Sequence, residues 1–350
     1  ALHPVGERPR RVVAPVRPPQ LQQDLLHQIL ARDRIAAPRQ RHAADAWHLF
    51  ADQLLEVRGV HRGFVAPPFA RAPHDLTAFT KIRARPGLAA ATTARRLSAS
   101  TMQVYDTHCH LGLDGKQTPE EEHARALAAQ VTGMLVVGID VATSRTAREL
   151  TRLPGVRWSA GLHPNDSSRF DAEWPELVAL AKTPGCAAIG ETGMDTYRDR
   201  TPLDQQERSL RQHLQLAREL DLPVILHCRD AFAPLFAVLR DEPPIRGVMH
   251  CFSGGVDEAR ASLDLGLSLS FAGPLTYPKN DALRAAAAFA PSDRIVVETD
   301  SPFLPPQRRR GQRNEPAYVV ETLAVLAQVR GMSLADAAAC TFANAVGLFG

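Results

Sequence analysis

The chain has 350 residues, 45% hydrophobic and 23% charged, ordinary proportions for a globular protein with ample material for a core. No run approaches the roughly 20 apolar residues a helix needs to cross a bilayer, so a membrane-spanning protein is not expected. The net charge of +3 joins two unlike parts: residues 1–101 carry 16 Lys and Arg against 7 Asp and Glu, or +9, and residues 102–350 carry 25 against 31, or −6.

Residues 1–20 and 58–100 are rich in Arg, Pro, Ala and His without a sustained period, which reads as irregular or disordered chain. Two pieces have helical character: Leu21 to Leu30, and Ala46 to Val57, where Trp47, Phe50, Leu54 and Leu55 fall near helical spacing. A basic leader suggests a transit peptide, but seven acidic residues and the lack of an apolar h-region fit neither targeting class. All 5 Met and all 5 Cys lie at or after Met102, whereas 10 of the 27 Pro precede it. The expectation is a largely disordered extension over 1–101, without a function of its own, with Met102 as the natural start. The odd cysteine number without a CxxC points to reduced, packed thiols and a cytoplasmic setting.

From Val104 onward, short β-branched or apolar runs alternate with helical patterns. The predicted strands are Val104–His108, Met134–Ile139, Val156–Gly161, Cys186–Gly190, Val224–His227, Gly247–His250, Leu267–Phe271 and Ile295–Thr299. Between them lie predicted helices Pro119–Gln130, Ser144–Leu153, Glu173–Ala181, Leu203–Leu220, Ala231–Leu239, Val256–Leu265 and Asp281–Ala290, with Pro316–Val329 and Leu334–Leu348 closing the chain. Such alternation implies βαβ units and a parallel sheet. Eight units in about 250 residues match an α/β fold of the closed (β/α)8 TIM-barrel type over 102–350. An open doubly wound sheet is the weaker alternative, because no GxGxxG follows the first strand.

The strand ends carry the chemistry. His108 and His110 share one face of an extended segment, since alternate side chains point the same way. Glu191 follows Ala-Ile-Gly, His227 follows Val-Ile-Leu, His250 follows Val-Met, and Asp300 ends Val-Val-Glu-Thr. Any one alone is usually a cap or a satisfied surface group, yet four His and two acids repeat the placement at the barrel face where active sites are built. Six donors exceed one tetrahedral site, so two divalent ions are expected, sharing a carboxylate. The assignment is His108, His110 and Asp300 on one ion, His227 and His250 on the other, with Glu191 bridging.

The motifs around these residues, in order, are Asp106-Thr107-His108-Cys109-His110-Leu111, Gly161-Leu162-His163-Pro164, Gly190-Glu191-Thr192-Gly193-Met194-Asp195 and Leu226-His227-Cys228-Arg229. They continue with His250-Cys251-Phe252-Ser253-Gly254, Glu298-Thr299-Asp300-Ser301-Pro302 and Arg313-Asn314-Glu315-Pro316. Over about residues 103–350 this set resembles the TatD family of metal-dependent hydrolases and deoxyribonucleases. The resemblance implies a TIM-barrel hydrolase with a divalent-metal site, often active on DNA. Thr196 stands where the family usually has an aromatic, and Gly112-Leu113-Asp114 replaces a common Asp-Phe pair, so the departures touch the rim of the site.

The expected reaction is phosphodiester hydrolysis by a metal-activated water, with Asp300 as general base and Glu191 at the reacting centre. His163, Arg229, Ser253 and Arg313 are the expected substrate contacts, the two arginines as bidentate phosphate holders. Arg308-Arg309-Arg310 would offset an otherwise acidic domain where a polyanion docks. Glu298 is expected as a buried hydrogen-bonding support. Mg, Mn or Zn suit the donor set. DNA or another phosphoester is the expected partner, with no obligatory protein partner. The alternative is an amidohydrolase acting on an amide, lactone or ester such as an aminoacyl-tRNA ester, weakened because no Lys stands at a strand end.

Overall fold

The structure, a computed structural model, describes residues 102–198 and 200–350. The expectations for residues 1–101 lie outside these. Eight strands run parallel and neighbour one another in chain order: β1 (Val104–Cys109), β2 (Val131–Val136), β3 (Val156–Ala160), β4 (Cys186–Asp195), β5 (Val224–Arg229), β6 (Gly247–Met249), β7 (Leu267–Phe271) and β8 (Ile295–Val297). The circle closes just past β8. A parallel bridge joins Cys109 to Ser301, His110 N donates to Ser301 O at 2.8 Å, and Asp300 N donates to His108 O at 2.9 Å. This is the expected TIM barrel, and the last hydrogen bond sets Asp300 beside His108.

The crossovers are α1 (Pro119–Ala128), α2 (Val141–Glu149), α3 (Phe170–Ala181), α4 (Leu203–Leu220), α5 (Phe232–Asp241), α6 (Val256–Asp264) and α7 (Asp281–Phe289). The chain ends with α8 (Val319–Arg330) and α9 (Leu334–Phe349). Helix α1 begins where Thr118 and Glu121 form a capping box before Pro119, which suits a first-turn position lacking an N–H partner. Helix α2 starts three residues earlier than its apolar pattern predicts, because Asp140 accepts from Thr143 N at 2.8 Å and caps it. Among the described residues no single helix is long and apolar enough to cross a membrane.

Two strands depart from their predicted bounds in ways that matter. Strand β2 lies three residues upstream of Met134–Ile139, since Gly133, which resembles a breaker, leaves room for the Tyr105 ring. Strand β4 continues through Glu191 to Asp195 instead of stopping at Gly190. Its two glycines permit close approach to β5: a Cβ on Gly190 would lie 2.6 Å from Ile225 O, and one on Gly193 would collide with the His227 carbonyl. Glu191 is therefore a residue within a strand rather than a loop residue, set at the irregularity in the β4–β5 register between Ile189 and Thr192, with its N donating to Gly138 O at 2.9 Å.

The main core is the layer between strands and helices, including Val104, Met134, Trp158, Leu214, Leu226 and Leu269. A second cluster takes Tyr105, Leu135, Ala187, Ile225, Val248 and Val296 from six strands and packs them with Ala345 and Phe349 of α9. Helix α9 thus closes the end of the barrel where strands begin, leaving the other end for the site.

Candidate metal centre

Each candidate side chain reaches the mouth by a local device. His108 lies inside β1 and His110 just beyond it, which keeps both on one side by alternation. Past β8 the backbone turns through Asp300 at φ 55°, and past β6 through Cys251 at φ 44°, both in the left-handed region that costs a non-glycine residue roughly 1–3 kcal/mol. Buried Asp106 anchors the seam: its Oδ1 accepts from Thr299 N at 2.9 Å and its Oδ2 from Thr299 Oγ1 at 2.5 Å. These bonds hold the start of the Asp300 turn against β1.

The side chains converge. His108 Nε2 lies 3.3 Å from His110 Nε2, 3.4 Å from Glu191 Oε2 and 3.8 Å from Asp300 Oδ1, and His110 Nε2 lies 3.7 Å from Asp300 Oδ1. On the other side, Glu191 Oε1 lies 2.7 Å from His227 Nδ1, 3.1 Å from His250 Nε2 and 3.4 Å from His163 Nε2. All six expected ligand residues fall in three groups whose donor atoms lie within 4.8 Å of one another: His108, His250 and Asp300; His108, His110 and Glu191; and His163, Glu191 and His227.

Outer partners decide which nitrogens are available. His110 Nδ1 donates to the Val137 carbonyl at 3.0 Å, so its Nε2 directs a lone pair into the site. His250 Nδ1 pairs with Glu298 Oε1 at 3.0 Å, and the same oxygen accepts from Cys251 N at 2.8 Å, leaving His250 Nε2 for Glu191. Ser270 Oγ holds the other Glu298 oxygen, so this acid is the buried support its position suggests. His163 is different. Its Nδ1 accepts from Asn165 N at 3.1 Å, which places the proton of the neutral ring on Nε2 and makes that atom a donor rather than a ligand.

Electrostatics agree with a site built for cations. Burial works to raise Glu191, yet the charge of His250 and hydrogen bonds from His108 and His227 outweigh it and hold the carboxyl well below its usual range. Asp300 is lowered likewise: burial opposes, and the His110 hydrogen bond and the charges of His250 and His108 prevail. Burial lowers His108, and pushes His163 down to about 3. His110, His227 and His250 rise against burial because of Asp300, of Asp195 with Glu191, and of Glu191 with Glu298, respectively. Two ionised carboxylates facing imidazole nitrogens at 2.7–3.8 Å form a donor set that suits divalent cations.

The expected substrate contacts fare unevenly. Arg229 ends β5 with its guanidinium 3.7 Å above the Tyr197 ring. Ser253 is exposed after β6 and, among the described residues, makes no side-chain hydrogen bond. Arg313 corrects the expectation of a phosphate holder: it forks onto Asp114 at 2.9 and 3.0 Å and also pairs with buried Glu122, so its donors are already engaged. With Arg125 on Glu315 at 2.7 Å, it ties the loop after β1 to the loop after β8. Of the arginine run, Arg309 pairs with Glu321 at 2.8 Å, and Arg310 packs on Tyr277.

Two buried residues that spacing did not single out support the cluster. Asp195 Oδ2 lies 3.5 Å from His227 Nε2 and accepts from Asn165 Nδ2 at 2.8 Å, so it sets a negative charge behind the imidazole that faces Glu191. His213 on α4 accepts from Leu162 N at 3.1 Å and gives its other nitrogen to Ser209 O at 2.7 Å, fixing the turn that carries His163.

A family model for TatD-related DNases matches residues 105–350. The chain belongs to the TatD family. It is 37% identical over 254 residues to the uncharacterized metal-dependent hydrolase YabD of Bacillus subtilis, which covers 70% of this chain and 98% of that protein. It is 39% identical over 236 residues to the 3'-5' ssDNA/RNA exonuclease TatD of Citrobacter koseri, over 65% of this chain and 90% of the relative. The crystal structure of YjjV, a TatD homologue from Escherichia coli, superposes with a TM-score of 0.66 at 29% identity, over 71% of this chain and 98% of that one. As a TatD-family member the protein is a metal-dependent hydrolase.

Proposed function

We propose that the chain is a deoxyribonuclease that hydrolyses phosphodiester bonds from the end of a strand, with two divalent ions at the barrel mouth. The observation that carries this reading is Glu191, whose Oε2 faces His108 at 3.4 Å while Oε1 faces His227 at 2.7 Å and His250 at 3.1 Å. A carboxylate so placed suits a bridging role, with His108, His110 and Asp300 on one ion and His227 and His250 on the other. Two such ions, Mg, Mn or Zn, supply water acidification and neutralisation of the phosphoryl oxygens.

The protein's own groups do the remainder. Asp300, with a side chain 14% exposed against 4% for Glu191, is the carboxylate that meets entering solvent and receives the proton. The His163 Nε2–H donates to a phosphoryl oxygen. Arg229, which has no carboxylate partner among the described residues, pairs with the phosphate. The exonuclease name of the Citrobacter koseri relative supports the choice of nucleic acid. The test is a panel of end-labelled single- and double-stranded DNA, RNA and an aminoacylated tRNA with Mg, Mn and Zn in turn. Stepwise shortening of DNA is expected; intact nucleic acid alongside cleavage of the aminoacyl ester would contradict the reading.

A further inference from the structure

Exposed aromatic rings are costly to leave in water, and among the described residues only Tyr197 at 62%, Phe303 at 52% and Phe289 at 37% are exposed. Phe289 ends α7 under the Arg260 guanidinium at 4.6 Å. The other two belong to the mouth. Tyr197 follows β4 and Phe303 follows β8, strands four apart in a closed circle of eight, so the rings stand across the opening from each other.

The backbone under each ring is anchored at an acidic residue of the mouth. Tyr197 N donates to Asp195 Oδ1 at 2.9 Å, and Phe303 N donates to Asp300 O at 2.9 Å. Tyr197 is backed by Arg229, whose Cα pairs in register with Asp195. The Phe303 ring lies edge-on to His110 at 6.3 Å, and Asn314 Nδ2 grips the Phe303 carbonyl at 2.6 Å. Beyond Phe303 opens a cavity of about 650 Å³ lined also by Lys116, Arg310, Gln312 and the Asp114–Arg313 pair, in which the guanidinium forks onto the carboxylate. An exposed ring on an anchored backbone beside cationic and amide side chains is the combination that binds unpaired nucleotides: bases stack, and cations meet the backbone.

We infer that Tyr197 and Phe303 are base-stacking platforms on opposite sides of the cluster, so that the site takes the unpaired end of a single strand, with the cavity beside Phe303 receiving a nucleotide. This rests on the phosphodiester reading above and adds the residues that select an unpaired strand. Duplex DNA keeps its bases paired and stacked on each other, so only the outer face of its last pair is open and the bases cannot splay to rings on opposite sides of the mouth.

The test compares kcat/KM, with the full chain and Mg present, for a single-stranded oligothymidylate and for the same strand with abasic sites at its two terminal positions. The wild type should prefer the base-bearing strand by about tenfold or more, the range expected for stacking. That preference should shrink towards one in Phe303→Ala and in Tyr197→Ala, survive in Phe303→Trp, and change little with salt, whereas both rates fall as salt rises. Equal rates on the two strands in the wild type, or an undiminished preference in both alanine variants, would overturn the assignment while leaving the nuclease reading intact. Failure to cleave either strand would overturn both.

Discussion

At the foot of the barrel Tyr105, Ile225 and Val296 pack with Phe349 of α9; at the mouth the same three strands lead to His108, His227 and Asp300. The foot buries apolar surface, which stabilises without directional demands. The mouth buries His108, His110 and His250 with the carboxylates of Glu191 and Glu298, each needing a partner, and bends backbone through left-handed turns at Asp300 and Cys251. The lesson is a division of labour along each strand: stability gained at one end offsets strain and buried charge at the other.

Substitutions at the two ends should therefore separate activity from stability. The largest effect is expected for Glu191→Gln, which keeps the shape and removes the charge facing four imidazoles: turnover should fall on the order of 10³-fold or more, with a thermal midpoint near that of the wild type. At the foot, Phe349→Ala should do the reverse. It should cost about 3 kcal/mol in denaturant unfolding and leave kcat per folded molecule unchanged.

His213 sharpens the contrast, being a buried polar group that serves the mouth from behind. Burial pushes its pKa down to about 4 from the usual 6.5. Between those values the unfolded chain binds the proton and the folded chain does not, so stability is full above pH 6.5 and declines as pH falls towards 4, by up to roughly 3 kcal/mol. Unfolding curves at pH 7 and pH 4.5 should show a smaller acid loss in His213→Gln than in the wild type. A smaller change is expected for Arg313→Lys, where a point charge replaces a fork that holds Asp114 and Glu122: about 1 kcal/mol, read as faster hydrogen exchange in the loops after β1 and β8.

Much of this was legible in the chain itself. Eight apolar runs at a regular beat are enough for the barrel, because parallel strands with helical crossovers leave few closed arrangements. The six candidate ligands were visible because each follows an apolar run, and the structure brings them together. The Arg313 pairs were not visible: its partners lie 191 and 199 positions away, and no local spacing encodes who meets whom across the closing seam. The same holds for Asp106 on Thr299, 193 positions apart. The apolar run that predicts β4 ends at Gly190, whereas Gly190 and Gly193 extend the strand to Asp195 by permitting the close approach of β5, a contact no local pattern encodes. Exposure at Tyr197 and Phe303 is a tertiary outcome, since by composition either ring belongs in a core.

The most direct test of the central claim is anomalous diffraction from crystals grown with Mn. The account predicts two peaks, one between His108, His110 and Asp300 and one beside His227 and His250, with the Glu191 carboxylate touching both, and the loss of the shared geometry in Glu191→Gln. A single peak away from Glu191, or none within reach of these imidazoles, would contradict it.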